Sequence, residues 1–167
     1  ALIALAVTSL GCDTGRKMGE SGVVLPVAMW AEPLDVDEIR KAAADAVDSK
    51  LPGAFPVGMI IKSPCADLAT IHGELIFVFR QVKWGLPSRK VTMATVTVDT
   101  AQHSARIELL DESSFYPVLE RQDFPSSREV RRVASLAQKY IGALSILSSC
   151  RVTLTYLGDK WVVICGS

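Results

Sequence analysis

The sequence predicts an α+β fold: an antiparallel β-meander packed against two helices, as a helix–strands unit followed by a smaller helix–hairpin unit. Three observations predict it. Two segments, LDVDEIRKAAADAVDSK and SSREVRRVASLAQKYIG, carry apolar residues at helical spacing behind a capping side chain. Three runs rich in β-branched residues follow the first segment, separated by short turns, as a meander requires. The chain then closes on RVTLTYLGDKWVVI, two such runs about a short turn, which reads as a hairpin.

The elements follow in chain order. Residues 1–11, ALIALAVTSLG, hold no charge and have about the length of a signal-peptide apolar region. Leu10-Gly11-Cys12 resembles the end of a bacterial lipobox, with Ser9 where that pattern prefers Leu, Val or Ile. The expectation is a signal-peptide remnant over 1–11, a lipidated Cys12, and a polar tether over 12–22. A secretory signal cleaved without lipidation, or a buried first strand with a core cysteine, are the alternatives.

The body, 23–167, reads as a single α+β domain. Residues 23–30, VVLPVAMW, are apolar enough for a strand, which Pro26 confines to an edge or a bulge. Asp35 caps a helix over 36–49, with Glu38 three residues on and Val36, Ile39, Ala43, Ala46 and Val47 on one face. Pro52-Gly53 ends it. FPVGMIIK is a short strand, 63–73 a loop, and ELIFVFRQVKW a long strand. GLPS at 85–88 turns the chain into KVTMATVTVD, and TAQH turns it into SARIELL. Residues 111–125 are polar and irregular. Ser126 then caps the second helix, with Val130, Val133, Ala134, Ala137 and Ile141 as its stripe and Gly142 as its stop.

Composition excludes several function classes. Lys plus Arg equals Asp plus Glu at 18 each, so the chain as a whole has no electrostatic bias toward nucleic acid or anionic lipid. No apolar run in the body approaches the roughly 20 residues that span a bilayer. GRKMGESG follows no strand and opens no helix, so it lacks the mechanics of a phosphate loop, and neither CxxC nor HExxH occurs. No cofactor and no metal is expected.

Cysteines carry the next expectations. If Tyr156 faces Trp161 in the closing hairpin, Cys150 comes within two residues of facing Cys165. A disulfide between Cys150 and Cys165 is then expected after a small register adjustment. Two buried thiols on neighbouring strands are the alternative, and Cys65 is left as a loop thiol. Cys65 with His72 or His103 has the residue types of a Cys–His nucleophile pair, the basis of an alternative reading as a small hydrolase. Arg128, Arg131 and Arg132 form either a solvated helix face or a contact for an acidic partner or headgroups. Trp84, beside Gly85 at a hairpin end, is either sheet packing or an exposed ligand contact.

Residues 35–110 resemble the PepSY domain, in which an N-terminal helix precedes strands with a Val-x-Val-Asp turn pattern. Val96, Val98, Asp99 and Ile107 supply it here, with Gln102-His103 where the turn glycine usually stands. The unit 123–167, with GDKWVV in its hairpin, is similar to a second, degenerate copy. A cystatin-like fold, a sheet wrapped on one helix, is similar too. The resemblance implies an exported, membrane-anchored module that is often non-catalytic and linked to peptidase regulation. The expected function is therefore that of an exported lipoprotein facing the periplasm or cell exterior. It binds or inhibits a protein or peptide partner in the envelope through an edge or face of the meander 74–110. A structural subunit of an envelope complex is the alternative from another class.

Overall fold

The computed structural model describes residues 16–85, 89–112, 121–141 and 150–166. Residues 1–11, expected to be a signal-peptide remnant, and Cys12 lie outside them, as do Leu86-Pro87-Ser88 of the GLPS turn and Gly142, the expected stop of the second helix.

Among the described residues seven strands form one antiparallel sheet: β1 (Arg16–Val23), β2 (Phe55–Pro64), β3 (Glu74–Trp84), β4 (Arg89–Asp99), β5 (Ser104–Glu112), β6 (Arg151–Leu157) and β7 (Lys160–Gly166). Their order across the sheet is β1-β5-β4-β3-β2-β6-β7. Two helices, α1 (Val36–Lys50) and α2 (Ser127–Ile141), pack against it. The expected α+β arrangement of two helix–strand units is thus corrected to a β-rich fold with a single continuous sheet. The reason is the pairing of β6 with β2, which sews the closing hairpin directly onto the meander. A two-stranded ribbon on its own is marginal, and the free side of β2 completes it.

Two further expectations are corrected. The stretch 12–22 is not a tether from Arg16 onward: it is β1, paired with β5 from Arg16↔Asp111 to Val23↔Ala105. Past Val23, which ends β1, residues 24–30 are not a strand, and Val27–Trp30 form a 3-10 turn directly after Pro26.

Strand alternation builds the core. Met59, Ile61, Leu75, Phe77, Ala94, Val96, Val98, Ile107, Val152 and Leu154 share one face of the sheet and are buried. The stripes Val36, Ile39, Ala43, Val47 of α1 and Val130, Ala134, Ala137, Ile141 of α2 close over that face and join the same core. The caps read from the sequence are present. Asp35 accepts the backbone N–H groups of Asp37 (2.9 Å) and Glu38 (3.3 Å), and Ser126 accepts that of Glu129. The two helix starts also interlock. Ser127 Oγ accepts the Asp37 N–H at 2.9 Å, while the Asp37 carboxylate accepts the Ser127 N–H. The N–H groups of Glu38 and then Asp37 on its carboxylate hold Asp35 below its ordinary pKa.

The end of the sheet where β2 turns into β3 is pinned by backbone chemistry. Gly73 has φ +141°, and a Cβ there would stand 2.1 Å from the Lys62 carbonyl oxygen, so only glycine fits. The buried Thr100 hydroxyl accepts the Gly73 N–H at 2.8 Å, tying the β4–β5 turn to that corner.

Candidate functional site

The closing hairpin presents the most exposed apolar strand. Gly158 and Asp159 both have φ +58°, the left-handed pair that a two-residue hairpin needs. Tyr156 donates its hydroxyl to Asp159 Oδ1 at 3.0 Å, and Gln122 Oε1 accepts the Gly158 N–H at 2.7 Å. Gln122 also donates to the Val57 carbonyl, so the turn is fastened to β2. Burial, and then the bond to Asp159, push the Tyr156 phenol up to about 12. Trp161 lies against Tyr156 and donates its indole N–H to Glu129 Oε1 at 3.2 Å, which fastens the start of β7 to α2.

Beyond Trp161 no strand among the described residues pairs with the outer side of β7. Val162 and Ile164 on one face are each 46% exposed, and Val163 on the other is 40% exposed. No charge stands between Lys160 and the end of β7, and β7 is the last strand of the sheet. The two-residue turn makes Leu157↔Lys160 the closing hydrogen-bonded pair. Alternation then directs the N–H groups of Lys160, Val162 and Ile164 to β6, and those of Trp161, Val163 and Cys165 outward. An unpaired row of donors and acceptors between apolar side chains is a template for one more strand.

The meander, whose edge or face the sequence offered for docking, has no free edge among the described residues. β4 pairs with β3 along its whole length and with β5 from Val91 to Asp99, and β3 is flanked by β2 and β4. Its edges are occupied, so the available edge lies elsewhere, at β7.

The predicted site residues separate. Cys150 does not pair with Cys165. The hairpin register is the expected one, Tyr156↔Trp161, and it places Cys165 opposite Val152, two residues past Cys150. Across β2 the register Pro64↔Arg151 makes Cys65 and Cys150 directly facing neighbours. Their Cα atoms are 5.4 Å apart, and the two form the disulfide, leaving Cys165 free and exposed. This bond also consumes the thiol that the hydrolase alternative required. His72 instead lies 3.7 Å from Glu32 Oε1, and His103 stacks on Trp30 with ring centroids 5.2 Å apart.

Of the arginine cluster, Arg131 donates to the Leu34 carbonyl at 2.7 Å and holds the entry to α1, while Arg128 and Arg132 remain on the exposed face of α2. Trp84 is 80% exposed at the end of β3, with the Arg89 guanidinium 5.2 Å above its ring.

One cleft of about 480 Å³ joins His72 to Asp67, Glu74 and Asp99, between Lys62 and Arg151. Two of its acids are engaged in structure. Glu74 faces Lys62 at 3.8 Å, and Asp99 accepts the N–H groups of Ala101 and Gln102 at 2.9 Å each. No carboxylate of the cleft hydrogen-bonds the imidazole among the described residues, and none of their acid, histidine and cysteine side chains cluster as a metal site. No helix among the described residues is long and apolar enough to cross a membrane. No family model, curated protein or solved structure matches the chain.

Proposed function

We propose that this protein is an exported, non-catalytic binding module that captures an extended segment of a partner protein along β7. The observation that carries the reading is the edge itself: uncharged from Trp161 to Gly166, apolar on both faces, and presenting three outward main-chain N–H groups. An incoming strand forms main-chain bonds to those groups for affinity. Its alternate side chains meet Val162 and Ile164 on one face and Val163 on the other, which gives selectivity for alternating apolar segments. The turn anchored by Tyr156, Asp159 and Gln122 holds the edge ready, so little ordering opposes capture.

Export is supported by the Cys65–Cys150 disulfide, a bond that persists in oxidising compartments. The uncharged run ending in Gly11-Cys12 supports a lipid anchor at Cys12. The PepSY-like pattern of 35–110 accords with an envelope protein of this kind.

The test places a photo-crosslinking residue at Val162 in the exported chain and irradiates whole cells. The expected result is one heterologous product that disappears when Val163→Pro removes an outward N–H without touching the bonds to β6. A product that survives Val163→Pro, or one of twice the chain's own mass, would overturn the reading.

A further inference from the structure

We infer that the β3–β4 tip is a membrane-surface dock, with Lys83, Trp84, Arg89 and Lys90 resting on the anionic headgroups of a bilayer. This goes beyond capture at β7 and leans on the Cys12 reading only for orientation.

The register sets out the charges by level. The outermost pair of the meander is Trp84↔Arg89, and the next is Lys83↔Lys90. These two levels hold three cations and an indole and no acid. Glu112 stands level with Val91, one step short, and Asp111 faces Arg16 one step further back. All four tip residues are exposed, and no carboxylate among the described residues pairs with Lys83, Arg89 or Lys90. Like charges directly opposite on neighbouring strands are destabilising, so the Lys83↔Lys90 pair works against the hairpin as it stands. An anionic surface relieves that repulsion. Exposed Trp beside Lys and Arg is the composition that seats protein at the headgroup level of a bilayer, where the ring is amphipathic and the cations meet phosphate. The zero net charge of the chain conceals this segregation.

Topology aims the tip. The level of Arg16 in β1 runs through Asp111 and Thr92 to Gln81. The chain before Arg16 therefore leaves the sheet at the same end as the tip. Trp84 lies three residues beyond Gln81, roughly 10 Å along the strand. The four residues from Arg16 back to Cys12 reach at most about 14 Å. A lipid on Cys12 and the indole of Trp84 can thus meet one bilayer surface together.

The experiment uses the full chain with Cys12→Ser, which removes the lipid acceptor, and measures co-sedimentation with vesicles of phosphatidylcholine alone or with phosphatidylglycerol at about a third of the lipid. Binding is expected to the anionic vesicles only, and to be lost in high salt. Lys83→Glu is expected to weaken it by about tenfold. The same change turns a repulsive cross-strand pair into an attractive one, so the thermal midpoint should hold or rise, which separates lost binding from lost folding. Trp84→Ala should weaken binding severalfold, and Arg128→Glu with Arg132→Glu on α2 should not. Equal binding to neutral vesicles, no binding to either, or binding that ignores Lys83→Glu and yields to the α2 changes overturns the dock. The N-terminal mass of the exported wild-type chain reports on Cys12 separately.

Discussion

The sheet ends in two strands that share one backbone chemistry and differ in everything attached to it. β1 carries Arg16, Lys17 and Glu20, two glycines, and a register shift between Lys17 and Gly19. Glu20 also reaches Arg106 of β5 at 3.8 Å. Charges and a bulge on an outer strand are how soluble sheets keep other strands away. β7 has neither: its register with β6 is unbroken, and its side chains beyond Lys160 are apolar or small. The same sheet therefore protects one edge and leaves the other open. An open edge is an aggregation hazard unless something occupies it, and this asymmetry is the physical basis for assigning the occupant to β7 rather than β1.

The largest effect that can break this comparison comes from the disulfide. Cys65 and Cys150 are 85 residues apart in sequence and cross-link β2 to the start of β6, the seam through which β7 is attached. Replacing both by alanine frees an unfolded loop of that length and should cost about 4.5 kcal/mol by chain entropy. Amide exchange is expected to rise first in β6 and β7, while β1, held by β5, keeps its protection. Exchange that rises equally at both edges would show that the two do not hang independently on the meander.

Alkaline titration sharpens the comparison at intermediate size. Tyr156 sits at about 12 in the folded chain against 10 when unfolded. A raised phenol favours its neutral form, so its stabilisation is fully present below pH 10 and is lost as pH climbs toward 12. The loss is on the order of 2 kcal/mol and should loosen the β6–β7 turn. Tyr156→Phe should flatten the stability profile between pH 10 and 12, read by denaturant midpoints. A profile unchanged by that substitution would remove Tyr156 from the account.

What was legible in the sequence was local. Both helices announce themselves by a cap and a stripe, and Asp35 and Ser126 do cap them. The runs at 74–84, 90–99 and 104–110 alternate or are β-branched, and they are β3, β4 and β5 within two residues. What was hidden is non-local. RKMGESGV has no apolar period, and becomes a strand only because β5 offers it an edge. The partner of Cys150 depends on the pairing of β2 with β6, so the hairpin register, although read correctly, pointed to Cys165. The division into two units failed for the same reason. Whether Val162 and Ile164 face a neighbour or solvent depends on which strand comes last, and no property of those residues encodes it.

The smallest effect on stability is the most direct test of the two edges, because it exchanges their protection. Val163→Lys gives β7 the kind of side chain that guards β1. Val163 is 40% exposed and its N–H points outward, so the change should shift stability by no more than about 0.5 kcal/mol. Strand capture at β7 and any concentration-dependent light scattering should nevertheless fall sharply, since an incoming strand would have to bury an ammonium group. On β1 the reciprocal change is Glu20→Val. It removes one exposed ion pair at 3.8 Å, a contact of the kind worth roughly 0–1 kcal/mol. The shift between Lys17 and Gly19 remains, so β1 should stay closed to added strands and scattering should not rise. If Glu20→Val alone makes the chain self-associate as readily as the wild type captures strands, charge and not backbone irregularity guards β1. The two edges would then differ by a single side chain rather than by construction.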